Sequence, residues 1–356
     1  MIELAPDYRT ARRQFLDAAE SAGVLVDTTV HPLTGLHGEE LAVDVAGIGP
    51  TDAEHVVVVV SGTHGVEGYC GSALQTDLLR HLADRPLSTA RLVCVHALNP
   101  YGFSWVRRVN EDNVDLNRNF VDWSAPIPVN GAYDEIAELL VPTSWSSEVQ
   151  QQTTEALMAR ALEVGLERFQ EIVSSGQYSQ PTGIFHGGSG PTWSHRWLRS
   201  WAAGALGSAK RLEIIDLHTG LGPWGHGELI GSEPVDDPAH VRASSIWGDV
   251  RSMVDGDSVS AELSGDWTGR AQELAPSAVT TAVALEFGTV DTITVLQSLR
   301  ADAWLHAHGD PTGPEGEVVR SQVRAAFADD DPRWISTCRD RFIEVLDTAL
   351  IAAVPA

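Results

Sequence analysis

Residues 56–60 are five valines in a row, and they run directly into Ser61-Gly-Thr-His-Gly-Val-Glu67. β-Branched residues are stiff at χ1 and favour strands. A strand with no polar alternation must be covered on both faces, which places it inside a sheet flanked by helices on either side. The chain is thereby constrained to an α/β layer architecture. His64 and Glu67 leave this strand together, with Gly62 and Gly65 loosening the turn around them. An imidazole and a carboxylate three residues apart at a strand end are how many catalytic zinc sites begin. Such a site needs three protein ligands and one open position, so the motif calls for a third ligand and a base further along.

The alternation of strand and helix recurs down the chain. Apolar positions at helical spacing over 8–22 end at Gly23, and strand-like stretches follow at 24–30 and 41–46. A helix is expected from Val66 to Leu82. Further strands are expected at Leu92–Ala97, Leu212–Leu217, Glu228–Gly231 and Thr281–Phe287. This pattern predicts a largely parallel or mixed sheet with helices on both faces. The stretch 132–206 is helical by pattern, broken at Pro142 and at Gln180-Pro-Thr-Gly183, and reads as an insertion that walls a cleft. Two closing helices, 293–308 and 332–352, are separated by the Gly-Asp-Pro-Thr-Gly-Pro loop at 309–314. No composition shift or repeat divides the chain, so residues 1–356 are read as one catalytic domain.

Bulk properties exclude several functions. A chain of 356 residues can bury about three quarters of its unfolded surface. Its formal charge of −25 would be repelled by nucleic acid and by anionic membranes. Lys210 is the sole lysine, so there is no phosphate-binding Gly-Lys-Ser/Thr loop. The three cysteines, Cys70, Cys94 and Cys338, are too few and scattered for a disulfide framework or a cysteine-rich zinc site. The first residues lack a basic stretch leading into an apolar one, and no run reaches the ~18 apolar residues of a membrane span. The expectation is a reduced, cytoplasmic protein.

Four segments fall at the ends of expected strands, where open α/β sheets place their ligands. They are Thr63–Glu67, Asn99–Phe120, Ile215–Gly220 and Leu285–Gly288. His64, Glu67 and His218 supply two imidazoles and one carboxylate, a set suited to catalytic zinc. Glu286 is then a spare carboxylate, placed to take a proton from water. Asp115 is a candidate for holding a ligand imidazole in the right tautomer. Arg108 and Arg118 are cationic forks in an acidic protein. One is suited to an oxyanion, the other to a substrate carboxylate.

Taken together, His64-x-x-Glu67, Asn99-Pro-Tyr-Gly-Phe103, Arg108-Val-Asn110, Val114-Asp-Leu-Asn117-Arg118-Asn-Phe120, His218 and Glu286 resemble the zinc carboxypeptidase superfamily in their order. That superfamily includes the aspartoacylase and succinylglutamate desuccinylase branch. The segments Gly62–Gly68 and Asp216–Gly222 look most like an uncharacterised bacterial branch of it. The resemblance spans residues 50 to 290 in short islands. It implies a mixed eight-stranded sheet and one zinc ion on His64, Glu67 and His218. It also implies Arg108 at the oxyanion, Asn117 and Arg118 on the substrate carboxylate, and Glu286 as base. One departure stands out. Digestive-type carboxypeptidases carry a tyrosine between the third ligand and the base, whereas no tyrosine follows Tyr178 here. Trp224, His226 and Trp267 are the candidates to cover the site in its place.

Each reading has a plainer rival. His64 and Glu67 alone could be a hydrogen-bonded loop pair, and His218 a satisfied core histidine. Glu286 lies in Val-Ala-Leu-Glu-Phe-Gly, where an unused carboxylate is costly. Asp115 could be a turn cap, and Arg118 could tie down a loop through Asp115 or Asp122. Arg107 is read as solvated or bound to an acidic loop, and Cys70 as a buried structural thiol. Trp193, Trp197 and Trp201 recur every four residues on one helix face, a core stripe or else a seam between copies in a homo-oligomer. The sequence therefore predicts a zinc-dependent hydrolase of a peptide or amide bond beside a free carboxylate, acting on a small peptide or acylated amino acid. Its rivals are an N-acyl-amino-acid deacylase of the aspartoacylase type and a non-catalytic metal-binding homologue.

Overall fold

A computed structural model of the protein describes residues 2–82 and 87–351. Eight strands form one mixed sheet: β1 (Val26–Thr34), β2 (Glu40–Ile48), β3 (His55–Val60), β4 (Ala90–His96), β5 (Arg211–Trp224), β6 (Gly227–Gly231), β7 (Val250–Ser252) and β8 (Val279–Gly288). Their spatial order is β1-β2-β4-β3-β5-β8-β6-β7. β4, β3, β5 and β8 are mutually parallel neighbours, as are β6 and β7, while the β1/β2, β2/β4 and β6/β8 pairs are antiparallel. The valine run is β3, and it lies between β4 and β5. Val57 and Val59 join the core on one face of the sheet, and Val56, Val58 and Val60 the core on the other. That two-sided burial is why every position of the strand is apolar.

The helices are α1 (Tyr8–Ser21), α2 (Gly68–Leu82), α3 (Pro100–Trp105), α4 (Gly131–Asp134), α5 (Ala137–Leu140), α6 (Ser147–Val164), α7 (Leu166–Ser174), α8 (Trp193–Ala205), α9 (Pro238–Trp247), α10 (Thr292–His308), α11 (Pro314–Phe327) and α12 (Pro332–Ile351). Side chains of α1, α2, α9 and α12 share one apolar cluster with one face of the sheet, and α8 packs on the other face. The stretch 132–206 holds α5 to α8 and most of α4, together with an irregular connection from Ser175 to Thr192. Trp193, Trp197 and Trp201 pack partly buried against the cluster on the second face, so the stripe serves the core. No helix among the described residues is long and apolar enough to cross a membrane.

Four expectations need revision. The helix expected from Val66 begins at Gly68, after a 3-10 turn over Gly65–Glu67. The tail holds a third helix, α11, started by Pro314 with Glu315 and Glu317 in its first turn, where acidic groups suit the helix dipole. Residue 352, the expected end of the last helix, lies outside the described residues. β5 continues past His218 to Trp224, with irregular pairing to β8 after Thr219. Finally, Arg107 is buried: its Nε donates to both oxygens of Asp302 on α10 at 3.2 and 3.0 Å, and Nη2 to Asn113 Oδ1 at 2.8 Å. Burial pushes the Asp302 carboxyl up, and Arg107 pulls it part of the way back. Asp302→Ala would leave a guanidinium buried without its carboxylate, so a loss of about 3–5 kcal/mol is expected in urea unfolding. A loss under about 1 kcal/mol, the range of exposed pairs, would contradict this account.

Candidate metal centre

His64 follows the C-terminal end of β3 and precedes the turn that carries Glu67. The turn is clamped by backbone bonds from Gly65 N to Arg108 O (3.1 Å) and from Val66 N to Arg107 O (2.8 Å). α3 presses so closely on it that a Cβ at Gly65 would lie 2.0 Å from the carbonyl carbon of Gly102. Only glycine fits there, and the ligand turn and the Arg107–Arg108 segment are thereby held as one unit. His218 lies on β5, and in the β5/β8 register its partner is Glu286. The ends of three adjacent parallel strands thus deliver the four side chains to one place.

The hydrogen-bond pattern defines which ring atoms are free. His64 Nε2 lies 3.1 Å from Asp115 Oδ1, and His218 Nε2 lies 2.6 Å from Asp216 Oδ2. A carboxylate accepts only, so each Nε2 carries a proton, and the neutral rings keep their lone pairs on Nδ1. These two Nδ1 atoms are 3.1 Å apart. Each also lies 2.8 Å from one oxygen of Glu67: Oε1 for His64 and Oε2 for His218. Two nitrogen lone pairs and a buried carboxylate therefore face one another, and only a cation or added protons can satisfy them. The three residues are buried, and their candidate ligand atoms all lie within 4.8 Å of one another. Two nitrogens and a carboxylate fit zinc, so the residues present fit the metal that the motif order implies.

The charges around the cluster point the same way. Burial alone would raise the Glu67 carboxyl, but His64 and His218 outweigh it and hold it well below the ordinary range. Burial opposes a charge on His218, yet Asp216 and Glu67 raise its pKa well above the usual imidazole value. The same pull that attracts a proton attracts a metal ion, so metal and proton compete for this nitrogen. Arg108 donates from Nε to Asp115 Oδ2 (2.9 Å) and from Nη1 to Glu67 Oε1 (3.0 Å), which leaves both Nη2 hydrogens unengaged. Glu286 is 9% exposed, accepts from the Leu221 N–H at 2.9 Å, and is raised to about 7 by burial and by the nearby charge of Glu67.

The sequence-expected residues thus gather in one region, with two qualifications. Asn117 places Nδ2 3.4 Å from His218 Nε2, and its Oδ1 is buried without a partner among the described residues. Arg118 is 2% exposed and binds backbone: Nε donates to Ser174 O (2.9 Å), Nη2 to the same carbonyl, and Nη1 to Asn117 O (2.9 Å). Of the three candidates to cover the site, Trp267 is buried and donates from Nε1 to Asp216 Oδ2 at 2.7 Å. Trp224 is 43% exposed and reaches Asp329, and His226 is exposed. The Cys70 thiol is pushed well up by burial and by its contact with Cys338, so it is no nucleophile.

Sequence reasoning gives no role to Thr63 or Phe185, uses Asp216 only as context for His218, and takes Trp267 as a cover for the site and not as a partner of Asp216. For Asp216 there was a signal: it lies two residues before His218 in a strand, hence on the same face. Its Oδ1 accepts from Thr63 Oγ1 at 2.7 Å, and Oδ2 receives both His218 and Trp267. Asparagine offers a single acceptor oxygen and cannot satisfy both sides. Asp216→Asn is therefore expected to weaken zinc binding about 10–100-fold in chelator competition. Unchanged affinity would show that the aspartate does not orient the ring.

The chain matches the family described as "Protein of unknown function (DUF2817)" over residues 4–340, and it belongs to that family. No curated protein matches it. Among solved structures, it is similar to thrombin-activatable fibrinolysis inhibitor, at 11% identity and TM-score 0.46, covering 90% of this chain and 74% of that one. It is similar to a succinylglutamate desuccinylase from Silicibacter sp. TM1040, at 13% identity and TM-score 0.41, covering 85% and 65%. A third likeness is to the ectoine utilization protein EutE from Ruegeria pomeroyi, at 14% identity and TM-score 0.42, covering 93% and 69%.

Proposed function

We propose that the protein is a zinc-dependent hydrolase of a peptide or amide bond next to a free carboxylate. His64, Glu67 and His218 hold the metal, and Glu286 is the general base. The observation that carries this reading is the convergence of the two Nδ1 atoms on the two oxygens of Glu67, with each Nε2 tied to its own aspartate and Glu286 in register with His218. Zinc held there would supply Lewis-acid polarisation of the scissile carbonyl and acidify a water molecule. Glu286 takes the proton of the attacking water and passes it to the leaving amine. Burial raises its pKa above the ordinary carboxylate value, which makes it a stronger proton acceptor than an exposed glutamate. The unengaged Nη2 hydrogens of Arg108 meet the carbonyl oxygen as negative charge builds on it. Asn117, through the N–H groups of its amide, and Arg118 bind the carboxylate end of the substrate.

A small acylated amino acid is the second reading, and the enclosure of the site favours it. The metal-site side chains are buried: His64 and His218 are 3% exposed and Glu67 is 1% exposed. Zinc-loaded protein should be assayed against two panels, C-terminal dipeptides and N-acyl amino acids. Turnover confined to the first supports a carboxypeptidase, and turnover confined to the second supports a deacylase. No turnover of either by a zinc-replete protein would overturn the hydrolase reading and leave a non-catalytic metal-binding protein.

A further inference from the structure

Phe185 stands where a ligand for two arginines would be expected. The centroid of its ring lies 5.4 Å from Arg108 Cζ and 5.3 Å from Arg118 Cζ. Its backbone is left-handed, φ 55°, a conformation that bulky residues seldom adopt. The surroundings impose it. Tyr133 Oη donates to Ile184 O at 2.9 Å, Gln177 N to Phe185 O at 3.2 Å, and Asp115 N to His186 O at 2.9 Å. Strain that is held on both sides in this way accumulates at functional sites. With the backbone pinned, opening has to come from rotation of the half-buried ring about its side-chain torsions.

The two guanidiniums are not saturated. Arg118 has five N–H donors, and its three hydrogen-bonding nitrogens use one hydrogen each, so one remains on each terminal nitrogen. Arg108 keeps both Nη2 hydrogens. An aromatic face is a weak partner for a guanidinium, and a carboxylate is a strong bidentate one. We propose that Phe185 is a gate over a carboxylate pocket at Arg118, beside Arg108, and that the carboxylate of the substrate displaces its ring. Phe185 then selects substrates: only a ligand whose anion can compete with the ring reaches Arg118. This rests on the reading above in which Arg118 meets the substrate carboxylate, but it requires no catalysis.

The test uses zinc-free protein and N-acetylglycine as the probe, measured by titration calorimetry, so an inactive enzyme does not affect the outcome. A gate that is open about a tenth of the time lowers apparent affinity about tenfold. Phe185→Ala should therefore bind the probe about tenfold more tightly than wild type, with Phe185→Leu between the two. The gain should vanish in Phe185→Ala/Arg118→Gln, or in the Arg118→Lys equivalent if the glutamine variant melts early. Equal or weaker binding by folded Phe185→Ala would make the ring a fixed wall or a direct contact and overturn the gate. A gain that survives loss of the Arg118 fork would place the carboxylate elsewhere and overturn it too. If Phe185→Ala does not fold, Phe185→Leu decides on the same criterion.

Discussion

Glu286→Gln should keep its metal and its fold while losing about 10²–10⁴ of its turnover, the range a positioned general base contributes. Glutamine preserves the shape of the side chain and can still accept from the Leu221 N–H at 2.9 Å, so β8 is undisturbed. It cannot accept a proton. The wild-type profile carries the same information in its pH dependence. Burial and the neighbouring Glu67 raise the Glu286 pKa to about 7. The base is therefore protonated and idle below that pH, and kcat/KM falls as pH drops through it. A divalent cation on the three ligands counters the charge of Glu67 and moves this acid limb down toward the ordinary value of 4.5. The limb should be absent from whatever activity Glu286→Gln retains. Turnover within about twofold of wild type, with zinc still bound, would remove Glu286 from the mechanism.

His64→Ala and His218→Ala should each abolish stoichiometric metal binding, from about one zinc per chain in wild type, as a three-ligand catalytic site holds. Each loss removes one of the two Nδ1 atoms that face Glu67, and each leaves an aspartate, Asp115 or Asp216, without its imidazole. The remaining nitrogen and carboxylate do not make a three-ligand site. Elemental mass spectrometry on the purified variants, with circular dichroism as a check on folding, measures this directly. Full zinc content in a folded variant would mean that the ion lies elsewhere. No metal in wild type after zinc is added back would discard the hydrolase.

Much of this was legible in the sequence because it rests on local rules. The valine run declared a strand covered on both faces, and alternation of strand and helix declared the layers. His64, Glu67, His218 and Glu286 stood at strand ends, the one place where an open sheet exposes them. What stayed hidden depends on approach in space. Arg107 looks like its neighbour Arg108 in the chain, yet Asp302, 195 residues away, pairs with one and not the other. Trp267 reaches Asp216 across 51 residues, with no periodicity to announce it. The left-handed backbone of Phe185 is imposed by bonds from Tyr133, Gln177 and Asp115, so nothing in its own neighbourhood predicts it. α11 is a different kind of miss. The sequence reading places Pro314 in the loop, although proline is favoured in the first turn of a helix.

The two Nδ1 atoms that meet in the centre are separated by 154 residues of chain. β5 must pair with β3 before they can face each other, and β8 must join β5 before Glu286 arrives. Contacts of such long range form late and slowly. Until then, Glu67 has no second imidazole, and a metal ion has no cage to enter. Ion capture at this site would therefore be a readout of completed folding and would reward only the finished sheet. A ligand that binds only the native state adds about 4 kcal/mol to stability at a thousandfold excess over Kd. The ion would thus act as a thermodynamic latch on the three central strands, and chelation would loosen them before it loosened the β1/β2 hairpin at the edge.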